Sequence, residues 1–525
     1  VGLARPHPGD LLALAILALV LGGFGALAFT GGERPTLIAI GPYLWRVLLF
    51  SATQAILSTV LSLVIGSALA LALARRRFRG RRAVLAVLGI TMVMPTIVVV
   101  FAILAVYGRA GYVSEALAFA GVPISFSIFG YPGILLAHVF LNAPFCARMM
   151  LDGLAEVPSE QWRLARMLGF GPAQVFRHLD WPAMRLQLPG LAGLLFLLHF
   201  KSFAIVLTLG GGPARATLEV AIYEALRTDL DFGRAAWLAL IQTAICLAFT
   251  LLMAWAVVRP PVTHTTRGAP ASRPDSDDPR LRLWDLAVLV VCALFLAPPI
   301  VAILSGAADV AEILDRDLAR AFLTSLGIAS AAALIGCLSA LALAGAARRY
   351  RLERKMPRLS AAYDALPTVL LAIPPFAMTA GLFLLIRRVA DPSAAGFILL
   401  PLMNGLAALP FAYRFIAPPL AMAGDRYDRL AQSLGLSGLN RLRIMDWPLV
   451  KRPLGAGIAV TMALSFGDFG IIALFGGGEL RTLPYLLYER LGAYRLEEAA
   501  AVGLVIVASS FMLAYFSSRF SHADD

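Results

Sequence analysis

Two charged side chains interrupt apolar runs: Lys201 in "LLHFKSFAI" and Asp468 in "SFGDFGII". Charge inside a hydrophobic stretch is costly and marks a cavity, a pathway or a buried pair. Shifted by 266 residues, position 201 falls next to Asp468, so the two hold near-equivalent places in an internal repeat. An ion pair between them is one reading, and snorkelling of either charge to an interface is the other. The remaining reactive residue types offer less chemistry. His138, His178, His199 and His264 are scattered, without the spacing of metal ligands or of an acid–base pair. Cys146, Cys246, Cys292 and Cys337 each lie inside an apolar run and read as small core residues. Lys201, Lys355 and Lys451 are the only lysines, and none follows a glycine-rich phosphate loop. The sequence therefore predicts no catalytic group, no metal set and no cofactor held by this chain.

A second pattern is polar. "RLARMLGFGPAQVFRHLDWP" at 163–182 returns as "RLAQSLGLSGLNRLRIMDWP" at 429–448, with nine identical positions at a constant offset of 266 and no gap. The residues that recur and could carry its function are Arg163, Ala165, Gly169, Asp180 and Pro182, with Arg429, Ala431, Gly435, Asp446 and Pro448. "EQWRLARMLG" has helix formers ahead of a glycine suited to a left-handed turn. A second short helix fits 172–180, with Pro182 limiting its continuation. Such an amphipathic helix–turn–helix either lies in the lipid headgroup layer or docks a partner. Two copies at matching places imply two matching docking sites.

Composition names the scaffold that positions these residues. Of 525 residues, 59% are hydrophobic and 15% charged, with a mean hydropathy of +0.79. So few charges cannot solvate a soluble surface. Apolar runs of about twenty residues, enough to cross a bilayer, recur at 11–29, 48–74, 84–107, 131–150, 186–209 and 235–258, then at 284–305, 321–347, 363–386, 397–422, 454–475 and 499–518. The first imitates a signal peptide but reads as a retained span. The net charge of +13 sits in loops between spans, so it points to a membrane rather than to nucleic acid. Arg75, Arg76, Arg77, Arg79, Arg81 and Arg82, and again Arg348, Arg349, Arg351, Arg354, Lys355 and Arg358, mark cytoplasmic loops. Counting spans outward from them puts both termini and both copies of the polar segment on the cytoplasmic side. The Pro-, Ser- and Thr-rich stretch 259–282 reads as a flexible cytoplasmic linker between a first repeat, 1–258, and a second, 283–525.

Other matches extend the repeat. Pro144-Phe145 with Arg148 pairs with Pro410-Phe411 and Arg414, "LGGG" at 209–212 with "FGGG" at 475–478, "TLEVAIYE" at 217–224 with "TLPYLLYE" at 482–489, and "MPT" at 94–96 with "LPT" at 366–368. Tyr223-Glu224 and Tyr488-Glu489 fall in outward loops, either meeting an outer partner or closing a re-entrant helix. An even number of spans per repeat makes the copies parallel, related by a pseudo-twofold along the membrane normal. The expected fold is all-α and polytopic, with about twelve transmembrane helices in two parallel six-helix repeats.

The polar segment resembles the Glu-Ala-Ala loop of bacterial ABC importer permeases: Glu-Ala-Ala, three residues, Gly, nine residues, Ile-x-Leu-Pro. The Glu-Ala-Ala falls on Arg163-Leu164-Ala165 and Arg429-Leu430-Ala431, the Gly on Gly169 and Gly435, the Pro on Pro182 and Pro448. Both copies have Arg for the acid and Trp for the final Leu. The duplicated chain resembles permeases for iron(III) and for thiamine, and 207–242 looks most like the thiamine permeases. This resemblance implies the type I ABC importer permease fold in a bacterial inner membrane. It implies coupling elements seated in two cytoplasmic ABC ATPase subunits, with ATP and Mg on those subunits and not here, and cargo delivered by a periplasmic thiamine-binding protein. For that cationic, aromatic cargo the pathway candidates are Asp468 and the rings of Phe203, Phe466 and Phe469, with Lys201 opposing unless paired. Iron(III) is the alternative cargo, although no cluster of hard oxygen ligands is evident. An ion-coupled secondary transporter is the alternative mechanism and leaves the duplicated segment unexplained.

Overall fold

The computed structural model describes residues 7–30, 37–121, 127–256, 273–306, 315–352, 354–386, 391–436, 438–477 and 480–521. Among these, all regular structure is helical apart from one bridge between Gly477 and Leu480. In hydrocarbon each segment has to bond its own backbone amides, which favours helix. The first half runs α1 (Pro8–Thr30), α2 (Leu37–Arg75), α3 (Arg81–Val93), α4 (Thr96–Tyr107), α5 (Tyr112–Phe119), α6 (Tyr131–Ala155), α7 (Ser159–Met167), α8 (Pro172–Val175), a π-turn (Phe176–Asp180), α9 (Trp181–Phe200), α10 (Ala204–Leu209), α11 (Leu218–Arg227) and α12 (Phe232–Ala256). The second runs α13 (Pro279–Ser305), α14 (Arg316–Leu352), α15 (Pro357–Ala372), α16 (Pro375–Ile386), α17 (Pro392–Ser433), α18 (Gly438–Arg441), a π-turn (Leu442–Asp446), α19 (Trp447–Phe466), α20 (Ile472–Phe475), α21 (Leu483–Gly492) and α22 (Leu496–Ser521). Eleven helical stretches are long and apolar enough to cross a membrane, and α15 with α16, bent by 84°, make a twelfth when taken as one span. The chain is an all-α, multi-pass membrane protein.

Several expected elements are corrected. The span 84–107 is two helices, because Pro95 lacks an amide hydrogen and drives Met94 to an extended ψ of 126°. Ile373, ahead of Pro374, has the same ψ of 126°. The counterpart of the Met94-Pro95 break is therefore Ile373-Pro374, while Pro367 of "LPT" lies inside α15. The spans 186–209 and 454–475 also break, after Phe200 and Phe466. Pro182 does not end a helix at 180. The i→i+5 turn at 176–180 widens the ladder where the proline ring would meet a carbonyl, and the chain continues into α9. The flexible-linker expectation fails at its end: residues 274–277 form a 3-10 turn, and α13 starts at Pro279 with Asp278 accepting from the amides of Arg280 and Leu281. Residues 259–272 lie outside the described residues.

The halves exchange their first helices. α1 packs on α14 and α16 of the second half as well as on α12 of its own, and α13 packs on α2 and α4 of the first half as well as on α22 of its own. Small residues let the backbones touch: a Cβ on Gly381 in α16 would lie 2.1 Å from the carbonyl oxygen of Gly23 in α1. Polar pins fix both helix heads. Tyr363 donates to Asp10 at 2.6 Å. Asp285, fully buried, accepts from Arg75 Nη2 at 2.6 Å and Arg76 Nε at 2.6 Å. A buried carboxylate is tolerable only with such donors around it.

Candidate functional site

The polar segment folds alike in both copies around its glycine. Gly169 and Gly435 both have φ of 65°, a left-handed conformation that penalises any side chain. The amide of Phe170 donates to the Ala165 carbonyl, and that of Leu436 to the Ala431 carbonyl, both at 2.9 Å. These six-to-one bonds close the last helical turn. In the first copy Trp162, Ala165, Val175 and Leu179 form a small core of their own. Ala165 and Ala431 are buried, which explains a small residue at that place in both copies. What faces out is apolar: Leu164, Met167 and Leu168 in the first copy, Leu430 and Leu434 in the second, with Arg163 exposed beside them. An apolar tip flanked by arginine has the chemistry of a protein interface. The side chain of Arg429 lies outside the described residues.

Asp180 and Asp446 do not join that exposed face. Asp180 is fully buried and accepts from Arg273 at 2.7 Å. Asp446 accepts from Arg348 at 2.8 and 3.1 Å and lies 3.8 Å from Arg441. These acids anchor the elements from behind. Pro182 and Pro448 stand in the second position of the helices that lead away, α9 and α19, where a missing amide hydrogen costs little.

Midway along the molecule α9 and α19 both break, and the breaks bring four of the five pathway candidates together. Phe203 and Phe469 stack with ring centroids 5.9 Å apart and planes at 20°. Phe376 stacks on Phe203 at 4.8 Å, Tyr223 meets it edge-on at 5.3 Å, and Tyr488 packs on Phe469 at 4.8 Å. Residues from both halves thus make one aromatic layer. Phe466 is elsewhere, edge-on to Phe322 within its own half at 6.0 Å. Lys201 and Asp468 do not bond each other. Lys201 Nζ donates to the Leu371 carbonyl at 2.8 Å, filling an orphan acceptor in the last turn of α15, where a cation also opposes the helix dipole. Asp468 accepts from the Ile471 amide at 3.1 Å, and no cation pairs with it among the described residues.

Two features were not legible in the chain. Glu219, in the first turn of α11, is buried. Its only sign was an acid in "TLEVAIYE" where the second copy has Pro484. His138 and His199 meet with ring centroids 4.5 Å apart. His138 bonds Ser58 at 2.8 Å and Ser202 at 2.9 Å, and His199 bonds Thr59 and Asn142, each at 3.0 Å. At the 266 offset stand Asn404 and Ser465, bonded at 2.9 Å. The polar pair is therefore repeated with different residues, and it locks α6 to α9 and to the break after it.

Residues 62–259 match the family model described as the binding-protein-dependent transport system inner membrane component. Over 526 residues the chain is 38% identical to the thiamine transport system permease protein ThiP of Brucella abortus, covering 98% of this chain and 95% of that one. It is 38% identical over 515 residues to the protein of the same name from Escherichia coli, covering 96% and 95%. The sulfate transport system permease protein CysW of a Synechocystis species is 31% identical over 245 residues, 44% of this chain and 87% of that one.

Proposed function

The chain belongs to the thiamine transport system permease family, and from that premise we propose that its cargo is thiamine, that two cytoplasmic ATPase subunits seat on the elements around Gly169 and Gly435, and that a periplasmic binding protein delivers the cargo. As a member it is the transmembrane permease subunit of an ABC importer, a transport component rather than an enzyme. The observation that carries the coupling reading is the matched pair of elements, each with the same left-handed glycine and an apolar tip. In this reading the two six-span repeats stand parallel across a pseudo-twofold, with both termini and the linker in the cytoplasm, which the arginine clusters support.

Coupling then needs no chemistry in this chain. ATP binding closes the ATPase pair and draws the two elements together. Each element leads into α9 or α19, so the movement reaches the breaks at 201–203 and 467–471 and parts the aromatic layer. Binding free energy shifts a two-state packing. Asp468 and the rings of Phe203 and Phe469 offer a cationic aromatic solute a charge and faces to pass along. The test is uptake of radiolabelled thiamine beside iron(III) in cells lacking this gene and any second thiamine system. Loss of thiamine uptake alone supports the reading. Intact thiamine uptake with iron uptake lost overturns it.

A further inference from the structure

We infer that Arg273 is a positioning residue for energy coupling: it ties the first docking element to the head of α13, a helix of the second half. The inference rests on the coupling reading above. The Arg273 guanidinium lies 4.5 Å over the ring of Trp162 in α7 and donates to Asp180 at 2.7 Å and Asp275 at 3.0 Å. Asp180 is fully buried and Asp275 nearly so. A planar fork that bonds two carboxylates while stacking on an indole is a role lysine cannot fill. The tie continues along the chain. Arg76 donates to the Ser276 carbonyl and also to Asp285 within α13, and Arg75 joins it there. Trp162, Asp180, Arg273 and Asp285 thus form one continuous run of packed and bonded groups.

Among the described residues the second element has no such strap. Asp446 is held by Arg348, from α14 of its own half, and the residue 266 positions beyond Trp162 is Asp428. So the two elements, alike at their tips, are anchored differently. The first is clamped by residues that lie just ahead of α13, which packs on α2, α4 and α22. A pull on the first is delivered through this clamp to the head of α13, whereas a pull on the second is delivered through Arg348 to α14.

The experiment uses the whole importer, this chain with its ATPase and binding protein, in lipid vesicles. Spin labels go on Gln161→Cys, exposed in α7, and Asp277→Cys, exposed ahead of α13. The four native cysteines are buried and leave little background. With Arg273 present, the label separation should be single and narrow and should not change when nucleotide is trapped. The variant Arg273→Gln with Asp180→Asn removes both charges of the Arg273–Asp180 pair and keeps hydrogen-bonding groups at both places. In it the separation should broaden on trapping, and thiamine moved per ATP hydrolysed should fall about fivefold or more at unchanged complex yield. Arg273→Lys should behave like the double variant. An unchanged separation and an unchanged ratio in the double variant overturn the inference. So does a parallel fall of complex yield, hydrolysis and uptake, the mark of a merely structural ion pair. If the unaltered importer hydrolyses ATP but moves no thiamine, the cargo reading fails while the label separation still decides the role of Arg273.

Discussion

Phe203 and Phe469 stack on each other at 5.9 Å, and they are the same residue of the repeat, 266 positions apart. Under the proposed pseudo-twofold, contact between equivalent residues lies on the axis that relates the copies. Parting the halves has to break this contact, which makes the stack a closure. Phe376, Tyr223 and Tyr488 thicken it from both sides.

Removing one ring should therefore favour the parted state. A stacked aromatic pair is worth about 0.5–1.5 kcal/mol beyond its buried area, a shift of roughly two- to tenfold. Phe203→Ala and Phe469→Ala should each raise ATP hydrolysis in the absence of binding protein by about that factor. Phe466→Ala, outside the layer, should not. Equal basal hydrolysis in all three would remove the closure role.

The turn glycines give a sharper test. Both sit at φ of 65° with no atom near enough to meet an added Cβ, so substitution acts through the backbone alone. Gly169→Ala and Gly435→Ala should cost about 1–2 kcal/mol locally and leave assembly largely intact. Gly169→Pro and Gly435→Pro cannot adopt that φ, and the first also removes the amide that bonds Arg166. Either proline variant should copurify poorly with the ATPase or hydrolyse ATP without uptake. Wild-type yield and uptake in both would contradict the docking assignment.

How much of this the chain reveals depends on the range of the interaction. The spans and the two polar elements are local: apolar length, arginine placement and a glycine at a fixed spacing are visible without a fold. The breaks at Lys201 and Asp468 are not, because an apolar run reads the same whether or not its helix is interrupted. Lys201 and Asp468 looked like partners because the repeat places them at one level, yet each found something closer. Lys201 reached the end of α15, just ahead of the break at Ile373-Pro374, inside a run that read as one span, 363–386. Arg273 was hidden for a different reason. It stands in a Pro- and Ser-rich stretch of linker composition, and its partners Trp162 and Asp180 are about a hundred residues away in the chain.

The exchanged helices predict a stability effect remote from any pathway. Asp285 is the buried acceptor that fixes α13 to the first half through Arg75 and Arg76. Asp285→Ala strands two arginines and should lower stability by roughly 3–5 kcal/mol. Asp10→Asn keeps an acceptor for the Tyr363 hydroxyl and should cost about 1 kcal/mol. Thermal unfolding in detergent reads both, with the larger drop in Tm expected for Asp285→Ala. A reversed order would mean that α13 is held mainly by its apolar faces.

The charges at the breaks separate cargo handling from structure. Lys201 is engaged by the Leu371 carbonyl, whereas no cation pairs with Asp468 among the described residues. Asp468 is thus the carboxylate left to attract a passing cation, and Glu219 is a second buried carboxylate, on α11. Asp468→Asn should reduce thiamine uptake by roughly tenfold, the worth of one charge-assisted bond, with little change in complex yield. Lys201→Met leaves the Leu371 carbonyl without its donor and the buried Glu219 without a nearby cation, and should lower yield. Adding Glu219→Gln to Lys201→Met removes the stranded charge and should restore most of the yield and uptake. Uptake that falls with Glu219→Gln in that double variant but survives Asp468→Asn would exchange the two roles and place the cation path on the side of α11.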